Sequence, residues 1–302
     1  MTKDLRPDPS MIGGIAKVPL VRLPDPVALF QTRASRFAYL AEGSAHLGPY
    51  LRFLSGICAA QAGLAADLNP LPAPAADWVA LARESRMPQI DRHHLRAMMP
   101  EMLELFLPRL DGLAMPEAAR LALDAVKAAS ADERNWLFAN VLADRIPEDS
   151  VAPHLFVAAA VQLHAARHAA ALDPEQLVPI KTGTCPACGG RPAVSMVTEN
   201  MGAEGTRYAA CACCQTLWNE VRIKCLCCGD NAKISYRAVE ADDAVIKAEI
   251  CGSCDHWVKI LYQNKNPTLE PIADDVASLG LDLKMKETGL QRGGFNPFLM
   301  GF

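Results

Sequence analysis

The spacing of apolar residues changes character near residue 180. Before it, apolar positions recur at helical intervals; after it, short β-type runs lie between cysteines. From Asp25 to about Leu172 the pattern is helical. Asp25-Pro26 supplies a cap and a first-turn proline, and Val27, Phe30, Ala34, Phe37, Ala38 and Ala41 then share one face. Residues 49–66 predict a second helix with Leu51, Leu54, Ile57 and Cys58 in its stripe, ended by Pro70, Pro72 and Pro74. A short helix covers Trp78 to Arg83. Asp91 caps a longer one carrying Leu95, Met98, Met102, Leu103, Leu105 and Phe106, with a kink at Pro100. Pro116-Glu117 opens a helix through Ala129, Asp132 caps another with Trp136, Phe138 and Leu142, and residues 149–171 form the last. Alanine and leucine dominate and β-branched runs are few. The first half is predicted to be an all-α domain of six or seven helices.

The strand pattern follows a linker at 173–184, marked by Pro174, Pro179 and Gly183. Strand character falls at Arg191–Thr198, Arg207–Ala210, Lys233–Glu240, Ala244–Ile250 and Trp257–Tyr262. Pro271 to about Lys286 then predicts a helix with Ile272, Val276, Leu279 and Leu283 on one side. A glycine-broken apolar tail occupies 289–302, and an exposed apolar tail is a partner site more often than an accident. The expected architecture is α+β and multidomain: an extended arm at 1–24, the helical domain at 25–172, the linker, β modules at 185–224 and 225–262, and the C-terminal helix and tail at 263–302.

The cysteines dominate the chemistry. Eight of them form four CxxC pairs: Cys185/Cys188, Cys211/Cys214, Cys225/Cys228 and Cys251/Cys254. The gap between pairs is 22 residues in each half, and a shift of 40 carries the first two pairs onto the second two. Two thiolates two residues apart grip one ion from a single turn, and a second such turn completes a tetrahedral four-sulfur site. Gly189 and Gly229 follow the first pairs, where the chain needs a left-handed residue. The equal gaps favour one ion on Cys185, Cys188, Cys211 and Cys214 and another on Cys225, Cys228, Cys251 and Cys254. Spacing alone leaves an interleaved pairing open, and also redox pairs or disulfides. Cys213 and Cys227 fall outside the frame as apolar filler or spare thiols.

Composition narrows the alternatives. The 302 residues are 51% hydrophobic, enough for a real core, and the net charge of −4 gives no general grip on nucleic acid. Eleven cysteines without a secretory leader point to metal in a reducing, cytoplasmic setting. No apolar run is long enough to span a bilayer. A β module of this size has too little core to fold alone, so bound metal is expected to be part of its fold. His164 and His168 lie four apart on the last helix, but no glutamate follows the first and no third ligand is evident; they read as ordinary helix residues. His93-His94 read as solvated or capping, Cys58 as buried and inert, and Met87, Met98, Met99 and Met102 as core filler. Asp242-Asp243 and Asp274-Asp275 read as turn and helix-start charges. No GxSxG, P-loop or GxGxxG occurs, and nothing calls for an enzyme.

The four CxxC pairs, the helical first half and the ending ADDVASLGLDLKMKETGLQRGGFNPF together resemble the FdhE family of formate dehydrogenase accessory proteins. The resemblance covers essentially the whole chain. CxxC pairs are shared with many zinc ribbons; the ADDxASLxLD helix and the GxxRxGxNPF tail are far more specific. It implies a cytoplasmic assembly factor for the catalytic subunit of respiratory formate dehydrogenase, with two rubredoxin-like modules. Each would bind one iron through the eight named cysteines, and zinc is the alternative that thiolate spacing equally allows. A rubredoxin-type electron carrier and a zinc-ribbon nucleic-acid binder are the competing classes. Oligomeric state is left open.

Overall fold

Helix α1 (Pro26–Glu42) starts where the sequence places it: Asp25 Oδ1 accepts from the backbone N–H groups of Val27 (3.0 Å) and Ala28 (3.1 Å). The computed structural model describes residues 18–198, 205–239 and 243–299. Most of the arm, Glu240, Asp242 and the last three residues of the tail lie outside them.

Seven further helices complete the first half: α2 (Gly48–Asp67), α3 (Ala76–Glu84), α4 (Arg92–Ala97), α5 (Met99–Phe106), α6 (Glu117–Ala128), α7 (Ala131–Leu142) and α8 (Val151–Ala170). Helix α8 is apolar nearly all round and buried from His154 to Ala166, which makes it the central helix of the layer. Phe30, Phe37, Leu51, Leu54 and Ile57 are fully buried between α1 and α2, each contributing about 1.5–3 kcal/mol relative to exposure. Two expectations need correction. The segment after Asp91 is two helices, broken at Met98, two residues before Pro100, which raises the count to eight. The cap of α7 is Ser130, not Asp132: Ser130 and Glu133 form a reciprocal capping box, and Asp132 sits in the first turn.

The second half is one eight-stranded sheet. Its strands are β1 (Val21–Arg22), β2 (Pro192–Thr198), β3 (Thr206–Cys211), β4 (Leu217–Glu220), β5 (Ile234–Arg237), β6 (Ile246–Cys251), β7 (His256–Tyr262) and β8 (Gln291–Arg292). The order is β1-β4-β3-β2-β7-β6-β5, with β8 also on β7. Each repeat is a three-stranded antiparallel meander, and the two join by a parallel pairing of β2 with β7, Ser195 opposite Ile260. Arg207 of β3 and Glu249 of β6 reach across this junction as a buried ion pair at 2.6 Å. The described end of the arm is strand β1, which covers the outer edge of β4.

The C-terminal segment departs most from expectation. Ser278 divides it into α9 (Pro271–Ala277) and α10 (Leu279–Lys286), and the break shifts the helical phase. Leu279, Leu281 and Met285 are therefore buried and Leu283 is exposed. The tail is not an exposed apolar segment: Phe298 and Leu299 are buried, Phe295 N–H bonds Pro192 O (3.0 Å), and Tyr50 OH donates to Phe298 O (2.7 Å). Asp274 stands in the first turn of α9, as expected of a helix-start charge, and both it and Asp275 are buried. Arg36 pairs with Asp274 at 2.7 Å. Asp275 meets Lys259 (3.0 Å), Arg292 (2.6 Å) and the Asn296 amide (2.9 Å). Asp282 closes the network on Lys259 and, at 2.6 Å, on Arg292. The two C-terminal sequence motifs thus form one buried charge cluster.

Candidate metal centres

Each first pair of cysteines closes a tight turn. Gly189 N–H donates to Cys185 O (2.8 Å) and Cys185 N–H to Gly190 O (3.0 Å); Gly229 N–H to Cys225 O (3.0 Å) and Cys225 N–H to Asp230 O (2.7 Å) repeat the pattern. Gly189 and Gly229 take φ of +73° and +84°, where any Cβ is strained. The second pairs lie at the ends of β3 and β6. Each is followed by a non-glycine residue at positive φ, Gln215 (+64°) and Asp255 (+55°). Sequence reasoning placed the glycines and missed these two, although they too stand 40 apart.

The turns bring together the cysteines of each repeat and do not interleave them. Cys185 Sγ lies 3.6 Å from Cys214 Sγ and Cys188 Sγ 3.5 Å from Cys211 Sγ. In the second quartet Cys225–Cys254 is 3.7 Å and Cys228–Cys251 is 3.6 Å. All four Sγ atoms of a quartet lie within 4.8 Å of one another. A tetrahedral ion with metal–sulfur bonds of about 2.3 Å separates its sulfurs by about 3.8 Å, so either pocket could hold one. Backbone N–H groups point at the sulfurs: Cys214 N to Cys211 Sγ (3.4 Å), Cys227 N to Cys225 Sγ (3.3 Å) and Ser253 N to Cys251 Sγ (3.4 Å). All eleven cysteines are free of disulfides.

The two pockets differ in setting. The first quartet is wholly buried; in the second, Cys228 is exposed and Cys254 half-buried. Residues of the helical half close over the first: Arg92 Nε donates to Cys188 O (2.8 Å), Ile90 N to Ala187 O (2.8 Å) and Gln162 Nε2 to Ala212 O (3.0 Å). Desolvation pushes the Cys185 and Cys214 thiols well up, while hydrogen bonds from Cys185, Cys211, Cys213 and Cys214 hold Cys188 well down. Thiolate is the form that ligates a metal, so an entering ion displaces the protons that the thiols carry.

The other candidates separate as follows. Cys213 is buried beside Cys188, and Cys227 packs near Gly293, outside either quartet. Cys58 is buried in the helical core, and burial pushes its thiol up to about 12. Met99 and Met102 are core residues; Met87 is exposed. His164 and His168 face each other, and His94, far away in sequence, stands beside them; His93 does not join them.

A helical layer closing over one of two fused four-cysteine β units is the class that fold and site define. Family models describing the N-terminal region, central domain and C-terminal domain of FdhE match residues 18–182, 184–222 and 223–299. The chain belongs to the FdhE family. It is 53% identical to the protein FdhE homolog of Rhizobium meliloti (strain 1021) over 99% of this chain and 98% of that relative. It is 32% identical to protein FdhE of Escherichia coli (strain K12 / DH10B), over 93% and 91%. The crystal structure of the FdhE protein from Pseudomonas aeruginosa superposes with a TM-score of 0.82 at 30% identity, covering 93% of this chain and 99% of that one. Among the described residues no helix is long and apolar enough to cross a membrane.

Proposed function

We propose that this protein is an accessory factor of formate dehydrogenase, without catalytic activity of its own. It binds the catalytic subunit of that enzyme in the cytoplasm during maturation. Each cysteine quartet carries one ion in this reading: Cys185, Cys188, Cys211 and Cys214 hold the first, Cys225, Cys228, Cys251 and Cys254 the second. The observation that carries it is the match of all three FdhE family models to a chain whose eight CxxC cysteines gather into two groups of four. A bound ion supplies a rigid cross-link between the two turns of each unit, and iron is the ion assigned to the native protein.

Affinity capture from the native host under anaerobic conditions tests the reading. Co-purification of a formate dehydrogenase catalytic subunit is the expected result; its absence, with the bait folded and metal-loaded, refutes the assignment. Absorbance and metal content of that sample decide the ion, since colourless protein with two zinc per chain overturns iron. A second reading, a one-electron carrier, is favoured by the exposure of Cys228 at the second quartet. It requires reversible reduction of bound iron and turnover with a reductase, and redox-silent metal removes it.

A further inference from the structure

Of the described histidines on the helical layer, His154 is fully explained by its surroundings. Its Nδ1 bonds Ser150 O (2.6 Å) and its Nε2 meets the Asn140 amide (3.2 Å). His164 is different. It is 2% exposed, its Nε2 lies 3.3 Å from His168 Nε2, and its Nδ1 is buried with no hydrogen-bond partner. Two imidazoles facing nitrogen to nitrogen satisfy each other only while one proton sits between them, and His164 Nδ1 is unsatisfied in either tautomer. A pair held at that cost, with His164 buried and His168 half-buried, calls for more than packing.

The surroundings supply a ligand chemistry. The His164 and His168 rings are nearly perpendicular, at 88°, with centroids 4.6 Å apart. His94 stands edge-on to His168, at 89° and 6.3 Å. His94 and His168 line a cavity of about 570 Å³ whose wall also carries Asp91, Met98 and Trp78. Burial pushes His164 down to about 3 and His168 down to about 4, so both rings are neutral and have lone pairs to offer at neutral pH. Two imidazole nitrogens bound to one tetrahedral ion at about 2.0–2.1 Å lie about 3.3–3.4 Å apart.

We propose that His164 and His168, with His94 swung in as a third ligand, bind one divalent transition-metal ion at the inner end of this cavity, separate from the cysteine quartets. Imidazole donors suit zinc, nickel, copper or cobalt. The remaining coordination positions face the cavity and take water or a small anion. The three histidines do not close within the 4.8 Å that each cysteine quartet does, so the site is an open one that ion binding completes.

The test uses the full chain with both quartets filled by zinc, titrated with Co²⁺ and read by visible absorption and metal counting. One further equivalent is expected, with the weak bands of nitrogen-ligated cobalt. The intense thiolate charge-transfer band that displacement from a quartet would give is not expected. His168→Ala, on the cavity side of the pair, lowers the affinity by about tenfold or more, and His94→Ala lowers it as well. His93→Ala, one residue away and outside the cluster, leaves it unchanged. No further equivalent in the wild type, appearance of the thiolate band, or binding undiminished in folded His168→Ala overturns the proposal.

Discussion

Asp144 shows how much a single side chain senses the first quartet. It follows α7 at φ +54°, and its side chain is largely buried near Arg92 and Arg191. Burial outweighs both cations and pushes its carboxyl up to about 6. The native state therefore holds the proton more tightly than the unfolded chain does. The stability this contributes is fully present below about pH 4 and is lost as pH rises through about 6. Asp144→Asn removes the titration and keeps a residue that tolerates positive φ. The stability of the variant relative to wild type should rise by about 1 kcal/mol from pH 5 to pH 7.5. Denaturant midpoints at the two pH values measure this, and a constant difference would refute the assignment. None of it was legible in the sequence, because the partners come from α4 and from the loop before β2. The knuckle glycines were legible, because Gly189 and Gly229 answer to a local backbone need repeated at a fixed offset.

At the level of elements, the tail and the two quartets carry the predictions. Residues 291–298 join β7, β2, α9 and α2, and the Phe298 ring is buried. Phe298→Ala should cost about 3–5 kcal/mol in thermal or urea unfolding. A change below about 1 kcal/mol would mean that the tail is not seated there. Asp275→Ala leaves Lys259 and Arg292 short of a buried anion and should cost about 3–5 kcal/mol. The sequence marked this tail as apolar but not its destination, since Asn296 and Arg292 find Asp275 only after the chain doubles back. It missed β1, β4 and β8, which are too short to show a period and, unlike β5, do not lie within a longer β-type run. The quartets differ by their covers: with an ion in each, a chelator should remove one per chain quickly, from the exposed second quartet, and the other slowly. Timed metal counts on wild type and on Cys251→Ser, which has lost the fast site, test this. Loss at one common rate would contradict it.

For the molecule as a whole, the helical layer and the sheet are not independent bodies. One cluster of buried residues runs from Val21 and Phe30 through the first quartet to Phe298. Among the described residues, Ala248, Ile250, Trp257, Leu281 and Met285 form a separate, smaller one around the second repeat. Arg33, 1% exposed, fastens the halves by bonding Glu270 (2.9 Å) and Gln215 (2.7 Å). Helix loss and release of the first ion should therefore coincide in urea, with release of the second ion earlier. Circular dichroism with a metal indicator records both, and first-ion release well ahead of helix melting would separate the halves. The sequence showed two like units; it could not show that they fuse, because the β2–β7 pairing joins segments some 65 residues apart. That fusion has a polarity. The opening strand of one copy lies against the closing strand of the other, so the pair has a front and a back and no twofold axis. Strand β1 stops the series at the β4 end, whereas the flank of β5 is left free among the described residues. A designer wishing to lengthen the array with a third cysteine unit would have to graft it there.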